Sequence, residues 1–372
     1  MTMDDPADSR VRTLRADFRR PLVIAGPCSA ESEEQTLETA RALAGLGIKV
    51  FRAGLWKPRT RPGTFAGVGS PGLQWLHRVK QETGLLTATE VASARHAYEA
   101  LQAGVDILWI GARTTVNPFA VQELADALAG VDVALLVKNP VSPDLDLWLG
   151  ALERFHKAGL VRLGAIHRGF AVHESSPYRN PPHWQLAIDL KARLPALPVL
   201  CDPSHIGGDR ALIYGLAQEA MDLQFDGLMV EAHIRPEEAL SDAKQQVTPR
   251  ELDAILKRLV LRAPDTDERS FHFTLDELRA QVDGLDKEII ARLAQRMRIS
   301  EEMGRLKKRS GITILQTSRW DQIVHERLRE GCSQGLSGEF MSELLKAIHE
   351  ESIGHQNRVM NLPEQKPGPG LP

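Results

Sequence analysis

Between residues 22 and 233, eight short apolar runs alternate with stretches of helical character. Each run is rich in Leu or β-branched residues and lacks polar alternation, which is typical of parallel strands buried on both faces. Eight strand–helix units within about 240 residues predict a (β/α)8 TIM barrel rather than an open doubly wound sheet, which rarely keeps eight such regular units. The runs are 22–29, 48–54, 85–91, 107–112, 133–140, 161–169, 198–205 and 227–233.

The alternation stops at RAPDTDERSFHF (262–273), a polar, proline-containing segment that reads as a linker. Beyond it the pattern is all helical, with a helix from 274 to about 309 that opens on the capping-box spacing Thr274–Glu277 and stops at Gly311. Two more helices are predicted at 317–330 and 338–360. The predicted parts are a barrel over 1–261, the linker over 262–273, a smaller all-α three-helix domain over 274–360 and a flexible tail over 361–372.

The net charge, the apolar runs and the cysteine spacing argue against several classes of protein. A net charge of −3 is too close to zero to favour a nucleic-acid partner or a membrane surface. No apolar run approaches the ~20 residues of a membrane span. The three cysteines are widely separated and the first ten residues are polar and acidic, so neither a disulfide framework nor a secretory leader is predicted. We expect a cytoplasmic enzyme that acts on small molecules.

The carboxyl ends of the predicted strands carry reactive side chains, and barrel enzymes place their chemistry at those ends. Any one of these residues is more simply explained as packing or as a salt bridge. Eight of them at equivalent positions indicate a functional site. They are Cys28, Arg52, Glu90, Arg113, Lys138, Arg168, His205 and Glu231.

These side chains fall into two groups. Unpaired cations at one barrel mouth would repel one another, so they imply ligands that carry phosphates and carboxylates; they are Arg52, Lys57, Arg59, Arg113, Lys138 and Arg168. The second group combines a thiol, an imidazole and two carboxylates, in Cys28, His205, Glu231 and Asp242. That donor set suits one Mn²⁺, Fe²⁺, Co²⁺ or Zn²⁺ ion better than Mg²⁺ or Ca²⁺. A general-base role for His205 is the alternative.

Over roughly residues 18–260 the sequence resembles the type Iβ branch of 3-deoxy-D-arabino-heptulosonate 7-phosphate (DAHP) synthase. The motifs are GPCS (26–29), FRAGLWKPRT (51–60), GAR (111–113), VKNP (137–140), HRG (167–169), DPSH (202–205), VEAH (230–233) and LSDAKQ (240–245). The resemblance implies that Cys28, His205, Glu231 and Asp242 bind the metal. It implies that phosphoenolpyruvate is held by Arg52, Lys57, Arg113, Lys138 and Arg168, with Glu90 supporting that side. It assigns erythrose 4-phosphate to Arg59 and Thr60.

A related family, 3-deoxy-D-manno-octulosonate 8-phosphate synthase, uses the same barrel with a pentose phosphate. KPRT (57–60) favours the four-carbon aldehyde, because that family carries a KANRS-like sequence there. The predicted mechanism has the metal polarise the aldehyde while the cations orient phosphoenolpyruvate. Lys57 is the candidate proton donor to the new alkoxide, and Lys138 stabilises the departing phosphate. No organic cofactor is expected.

The long helix carries a row of basic residues, and a solvated basic face is the simplest explanation for an arbitrary helix. Arg296 and Lys307, however, are eleven residues apart, about three turns, and share a face, as do Ser352 and Gln356. Over roughly 274–360 the sequence resembles the all-α chorismate mutases, which rearrange chorismate to prephenate. The matching motifs are LRAQVDGLDKEII (278–290), LAQRMRIS (293–300), GRLKKR (304–309) and HEESIGHQ (349–356).

The resemblance gives the helical domain a site formed by Arg279, Arg296, Lys307, Arg319, Ser352 and Gln356. Arg296, Lys307 and Gln356 are the catalytic candidates, with Lys307 and Gln356 as donors to the ether oxygen. Two positions depart from the family, since Trp320 and Gln316 stand where acids are frequent. The alternative function is therefore a regulatory module that binds chorismate or prephenate and has weak mutase activity.

The length of the predicted helix from 274 to about 309 bears on the oligomeric state of the protein. Arg279 and Lys307 are 28 residues apart on one predicted helix, about 42 Å, so they cannot contact the same small molecule. If Arg279 belongs to the site, a partner chain supplies it, which predicts an intertwined homodimer or a higher homo-oligomer. The fusion of the two domains also predicts feedback inhibition by prephenate, which requires two states of different affinity.

Overall fold

The computed structural model describes residues 21–57, 63–172, 176–315 and 317–361, except the side chains of 317–319, 321 and 322. The chain divides into two compact units, residues 1–264 and 265–372. Among the described helices, none combines the length and the apolarity that a membrane crossing requires.

The first unit is a closed barrel of eight parallel strands in sequence order, which confirms the predicted fold class. β1 pairs with β8 in the register Ile24↔Met229, and this pairing closes the ring. The strands are β1 (Leu22–Gly26), β2 (Val50–Arg52), β3 (Leu86–Val91), β4 (Ile107–Ile110), β5 (Ala134–Lys138), β6 (Leu163–His167), β7 (Val199–Cys201) and β8 (Gly227–Glu231).

Helices connect the strands and cover the outside of the barrel. They are α1 (Glu33–Gly45), α2 (Pro71–Thr83), α3 (Ala94–Gln102), α4 (Ala112–Thr115), α5 (Pro118–Ala127), α6 (Leu145–Lys157), α7 (Trp184–Arg193), α8 (Pro203–Gly207), α9 (Ile213–Asp222) and α10 (Pro249–Arg258). Three 3-10 segments lie at Arg210–Leu212, Pro236–Glu238 and Ala243–Gln245. Side-chain hydrogen bonds cap the start of α1: Ser32 Oγ accepts from Gln35 N at 3.1 Å, while Gln35 Oε1 accepts from Glu31 N at 3.1 Å.

The barrel has two apolar layers because successive strand residues point to opposite faces. The inner layer includes Ile24, Trp109 and Met229, all fully buried. The outer layer packs strand residues against the helices. Trp109 is the largest side chain of the inner layer, and its ring centroid lies 4.8 Å from the guanidinium carbon of Arg52 at the end of β2.

The second unit consists of α11 (Arg269–Ser310), α12 (Thr317–Ser333) and α13 (Gly338–Asn361). Gly311 ends α11 in the left-handed region at φ 63°, as expected. The predicted start of α11 at residue 274 is wrong: the helix begins at Arg269, and Thr274 lies inside it. Residues 269–273 contain neither proline nor glycine, so nothing there stops the helix from extending toward Pro264.

Much of α11 is not covered by the described residues of one chain. Only Met297, Ser300 and Gly304 are buried on this helix, all in its C-terminal half. The apolar stripe Leu278, Val282, Leu285 and Ile289 is more than half exposed, at 53–59%. A stripe of this kind is normally buried against a neighbour.

Candidate functional site

Three of the predicted ligand residues converge at the barrel mouth. Cys28 follows β1, Glu231 ends β8, and Asp242 lies in the loop beyond β8; their ligand atoms all lie within 4.8 Å of one another. Cys28 Sγ is 3.3 Å from Asp242 Oδ2. Asp242 holds this position with a positive φ of 48°, which is uncommon outside glycine but tolerated by aspartate. The fourth predicted ligand, His205, has Nε2 3.7 Å from Glu231 Oε1.

The electrostatics of this cluster favour a divalent cation. Burial and the neighbouring Glu231 raise the pKa of the Cys28 thiol to about 12, with Lys57 opposing the shift. Burial acts to raise the pKa of Glu231 and of Asp242, yet the neighbouring His205 and, after it, the cations near each carboxylate hold both below their usual values. Two ionised carboxylates beside a thiol therefore share one small volume. The donors fit a borderline ion, which would also deprotonate the thiol.

Lys57 belongs to the same cluster. Its Nζ lies 2.8 Å from Cys28 Sγ. Burial acts to lower the pKa of Lys57, but Cys28 and Glu231 outweigh it and raise the pKa overall. The ammonium is therefore kept protonated at the position where a proton donor was predicted. Gly54 leaves room for it, because a Cβ there would lie 3.3 Å from Lys57 Nζ and 2.7 Å from the Cys28 carbonyl oxygen.

Arg52 is a buried cation, and only some of its hydrogen-bond donors are paired among the described residues. Its side chain is 1% exposed, and Nη2 lies 3.3 Å from Glu231 Oε1 and 3.3 Å from Cys28 O. Nε and Nη1 are buried without a hydrogen-bond partner among the described residues. Its guanidinium carbon lies 4.8 Å from the centroid of the Trp109 ring. Leaving two buried donors unpaired is costly, so this geometry calls for an anionic ligand.

Lys138 and Arg168 extend the cationic surface. Lys138 Nζ is 2.7 Å from Asp202 Oδ2 and 6.0 Å from the Trp109 centroid. Arg168 Nη1 donates to Asn180 Oδ1 at 2.9 Å. Burial lowers the pKa of Arg168 to about 10, and the charges of Arg179 and Arg113 add to this effect. The side chain remains a cation at neutral pH, next to other cations.

Glu90 lies beside the same tryptophan. Its Oε2 accepts from Trp109 Nε1 at 3.0 Å. Gly111, after β4, leaves room for this carboxylate, since a Cβ at that position would lie 2.2 Å from Glu90 Oε1 and displace it. Two predicted substrate residues, Arg59 and Thr60, lie outside the described residues.

Several residues of the site were not singled out from the sequence, and Asp202 is the most important. It is fully buried at the end of β7, where Oδ1 accepts from His205 N at 3.1 Å and Oδ2 lies 2.8 Å from His205 Nδ1. Burial acts to raise the pKa of Asp202, but His205 and Lys138 hold it well below the usual value. The sequence signal for Asp202 was the DPSH motif (202–205), in which an acid directly follows an apolar strand and precedes a proline that starts a helix. Arg179, Gln245 and Gln246 were also missed.

In the helical unit, α11 and α13 bring three predicted residues together. Arg296 Nη1 donates to Ser352 Oγ. Gln356 Nε2 donates to Ser352 O at 3.4 Å, and its Oε1 is buried without a partner among the described residues. Lys307 Nζ donates to Ile314 O at 2.5 Å. Gly304 permits the close approach of the helices, because a Cβ there would lie 3.1 Å from Gln356 Cα.

The remaining predicted residues of this unit are placed differently. Arg279 is 65% exposed, near the other end of α11, and contacts Asp276 at 3.2 Å. The side chain of Arg319 and the whole of Gln316 lie outside the described residues. Trp320 stacks on His349, with ring centroids 3.8 Å apart. His349 precedes Ser352 by one helical turn on α13, so the stacked pair adjoins the Arg296–Ser352 contact.

Comparisons with known proteins agree with the two-part architecture. The model of the DAHP synthetase I family matches residues 9–263, and that of chorismate mutase type II matches residues 278–357. A phospho-2-dehydro-3-deoxyheptonate aldolase of Thermotoga maritima is 34% identical over 225 residues, 60% of this chain and 64% of that protein. The chain thus spans just under two thirds of that relative's length.

Other relatives share mainly the barrel. A 2-dehydro-3-deoxyphosphooctonate aldolase of Wolinella succinogenes is 27% identical over 267 residues, 64% of this chain and 98% of that protein. The crystal structure of the Thermotoga maritima phospho-2-dehydro-3-deoxyheptonate aldolase (DAHP synthase) is similar with a TM-score of 0.57 at 31% identity. That match covers 63% of this chain and 66% of the Thermotoga chain.

Proposed function

The chain belongs to the DAHP synthetase I family and also carries a chorismate mutase type II segment, as both resemblances predicted; on this basis we propose a bifunctional enzyme of the shikimate pathway. Its barrel condenses phosphoenolpyruvate with erythrose 4-phosphate to DAHP and phosphate. Its helical unit rearranges chorismate to prephenate. Cytoplasmic conditions, which keep the thiol of Cys28 reduced, suit this chemistry.

One observation carries the barrel proposal: the unpaired buried donors of Arg52 face the same mouth as Lys57 and the thiol–carboxylate cluster. A polyanion satisfies Arg52, and Lys138 Nζ lies near the same Trp109 ring as the Arg52 guanidinium. Lys138 and Arg168 are assigned to the phosphate. Glu90, fixed by Trp109, supports the phosphoenolpyruvate side. Arg113 is assigned to the same substrate and Arg59 with Thr60 to the aldehyde phosphate.

The reaction joins C3 of phosphoenolpyruvate to the aldehyde carbon, adds water at C2 and releases phosphate by C–O cleavage. A divalent ion held by Cys28, His205, Glu231 and Asp242 would supply Lewis-acid polarisation of the aldehyde oxygen. Lys57 donates the proton that the new alkoxide takes up, since its pKa is raised and its ammonium is charged. Lys138 neutralises the departing phosphate while Asp202 holds its ammonium in place.

The four-carbon aldehyde is proposed over a pentose phosphate on the KPRT segment (57–60). Assaying the purified chain with erythrose 4-phosphate and with arabinose 5-phosphate tests this choice. A higher kcat/KM for the four-carbon substrate is expected. Equal or higher turnover of the pentose phosphate would reassign the barrel to the octulosonate reaction.

The metal is tested by chelation and by Cys28→Ser. Serine is a poor ligand for Mn²⁺, Fe²⁺, Co²⁺ and Zn²⁺, so we expect loss of metal affinity and of turnover. Cys201→Ser is the matched control, because Cys201 is equally buried but packs in the outer layer. A Cys28→Ser protein that keeps full activity after chelation and gel filtration would exclude the proposed site.

For the helical unit, the Arg296–Ser352 contact and the unpaired Oε1 of Gln356 carry the proposal of a carboxylate- and ether-binding pocket. Arginine clamps carboxylates in two-point geometry, and the rearrangement needs only conformational restraint and charge stabilisation. Lys307 and Gln356 are the proposed ether-oxygen donors. Arg296→Ala is expected to abolish mutase turnover without changing DAHP synthesis. Unchanged mutase turnover would remove Arg296 from the site.

A homodimer completes the proposed mutase site. A second copy covers the exposed stripe of α11 and supplies Arg279 across the interface, with Arg319 from α12. Sedimentation is expected to give a dimer or a higher homo-oligomer, and a monomer with full mutase activity would contradict this arrangement.

Prephenate feedback is the regulatory part of the proposal and rests on the fusion of the two units. Saturating prephenate is expected to inhibit DAHP synthesis in the full chain. If synthesis is unaffected, the regulatory role is excluded while the mutase role stands. Mutase activity far below that of DAHP synthesis, with intact inhibition, would favour the alternative of a regulatory binding module.

A further inference from the structure

The two carboxylates of the metal cluster are each held by one of their oxygens. Glu231 Oε2 accepts from Gln245 Nε2 at 2.7 Å. Asp242 Oδ1 accepts from Arg179 Nη1 at 3.0 Å. The same Nη1 also donates to Gln245 Oε1 at 2.8 Å. A continuous chain of hydrogen bonds thus runs from Glu231 through Gln245 and Arg179 to Asp242.

The other oxygen of each carboxylate is turned toward the thiol and the imidazole. Glu231 Oε1 is buried and accepts no hydrogen bond in the described part of the chain; Arg52 Nη2 lies 3.3 Å from it and His205 Nε2 lies 3.7 Å from it. Asp242 Oδ2 lies 3.3 Å from Cys28 Sγ. Each carboxylate therefore has one oxygen fixed by its neighbours and one oxygen available to an ion.

The side-chain amide of Gln245 suits this position because it has both a hydrogen-bond acceptor, Oε1, and a hydrogen-bond donor, Nε2. Arginine can only donate and an ionised carboxylate can only accept, so the partners set the amide with Oε1 toward Arg179 and Nε2 toward Glu231. Gln245 is 1% exposed and carries no charge. A carboxylate here would add a third anion next to Glu231, and an ammonium would compete with the bound cation.

The neighbouring glutamine fixes the third ligand in a similar way. Gln246 Oε1 accepts from Cys28 N at 2.9 Å, and its Nε2 donates to Ser241 O at 2.8 Å. The short segment after Asp242 thus supports both the carboxylate of Glu231 and the backbone that carries the thiol.

We propose that Gln245 and Arg179 are positioning residues of the metal site, which fix one oxygen of Glu231 and of Asp242 so that the other faces the ion. The inference rests on the proposed function, because the ion is the one that the condensation requires. Partners in this outer position typically change metal affinity by about 10–100-fold when they are removed.

The test compares Gln245→Met and Arg179→Met with the unchanged chain in Co²⁺ and Mn²⁺ titrations of the metal-free protein. Calorimetry gives the dissociation constant, and the cobalt–thiolate absorption band reports ligation by Cys28 independently of turnover. Both variants are expected to bind Co²⁺ about 10–100-fold more weakly. DAHP synthesis should recover toward the unchanged kcat at high metal concentration, because the substrate-binding residues are untouched.

Lys244→Met is the matched control, since Lys244 is exposed and adjacent to Gln245; its metal affinity should not change. If Gln245→Met fails to fold, Arg179→Met decides, because the Arg179 side chain is half exposed and its loss leaves the core intact. Dissociation constants within twofold of the unchanged chain in the folded variants overturn the inference. Failure of the unchanged chain to bind Co²⁺ would instead overturn the proposed metal site itself.

Discussion

Asp202→Asn removes one partner of a buried ion pair at the barrel mouth. The carboxylate and its partner Lys138 are 0% and 5% exposed, with Nζ and Oδ2 2.7 Å apart. At an effective dielectric constant of about 20, two unit charges at that separation attract by about 6 kcal/mol, part of which offsets desolvation. Removing one partner of a buried pair typically costs about 3–5 kcal/mol, because the other charge remains buried and unpaired.

The asparagine keeps the helix cap but loses the charge. Its Oδ1 still accepts from His205 N, while its NH2 group faces the ammonium of Lys138 and the Nδ1 atom of His205, both of which then lack a carboxylate. We expect unfolding in urea to show a loss of about 3–5 kcal/mol, and the melting temperature to fall by about 10 °C for a unit of this size. DAHP synthesis should fall sharply, because Lys138 and His205 lose their orientation.

The pH dependence distinguishes this explanation from a general packing defect. The pKa of Asp202 is depressed in the folded state, so its contribution is complete above the unfolded pKa of about 3.9 and is lost as the pH falls through the folded value. The stability difference between the two proteins should be constant near neutrality and shrink below about pH 4. Asp209→Asn is the control, since Asp209 is an exposed cap and asparagine caps equally well. A loss of less than 1 kcal/mol for Asp202→Asn, or a difference that does not change with acid, would refute the reasoning.

Three further outcomes are expected. Gly111→Ala should lower kcat/KM for phosphoenolpyruvate by about 100-fold and leave mutase turnover intact, because the added Cβ displaces Glu90; unchanged synthesis would remove Glu90 from the site. Leu285→Glu should yield monomers by sedimentation and eliminate mutase turnover, with Lys287→Glu as the exposed control; a stable Leu285→Glu dimer would mean that the stripe is not the interface. Trp320→Glu should raise mutase kcat/KM by about tenfold, because a hydrogen bond to a charged group contributes about 1.5 kcal/mol; unchanged or lower turnover would count against an acid at this position as a substrate contact.

The periodicity of the chain was enough to predict the barrel, because buried parallel strands have a distinctive apolar composition and each of the eight runs contains one. It also placed Cys28, Glu231 and Asp242 at a strand end or in the segment that follows one, and the ring brings these positions together. The periodicity does not predict which side chains contact each other when they are distant in sequence. Asp202 was visible in its motif, but its contact with Lys138 depends on the register of β5, β6 and β7.

In the helical unit, by contrast, a local sequence signal led to a wrong prediction. Its helix ends followed the local signals at Gly311, yet the capping-box spacing at Thr274 was misleading, since a cap is used only where something prevents the helix from continuing. The described residues of a single chain leave the apolar stripe of α11 exposed. The homodimer that the Arg279–Lys307 separation predicts stays a prediction.

The β1–β8 pairing has a consequence for biosynthesis of the protein. Cys28 and Asp242 are separated by 214 positions, and the strands that present Cys28 and Glu231 are the first and the last of the ring. A nascent chain therefore cannot bring Cys28 next to Glu231 and Asp242 until nearly the whole barrel has left the ribosome. The thiol of Cys28 meets Glu231 and Asp242 only when β1 pairs with β8, so an ion at the proposed site would favour closure of the ring in a newly made chain.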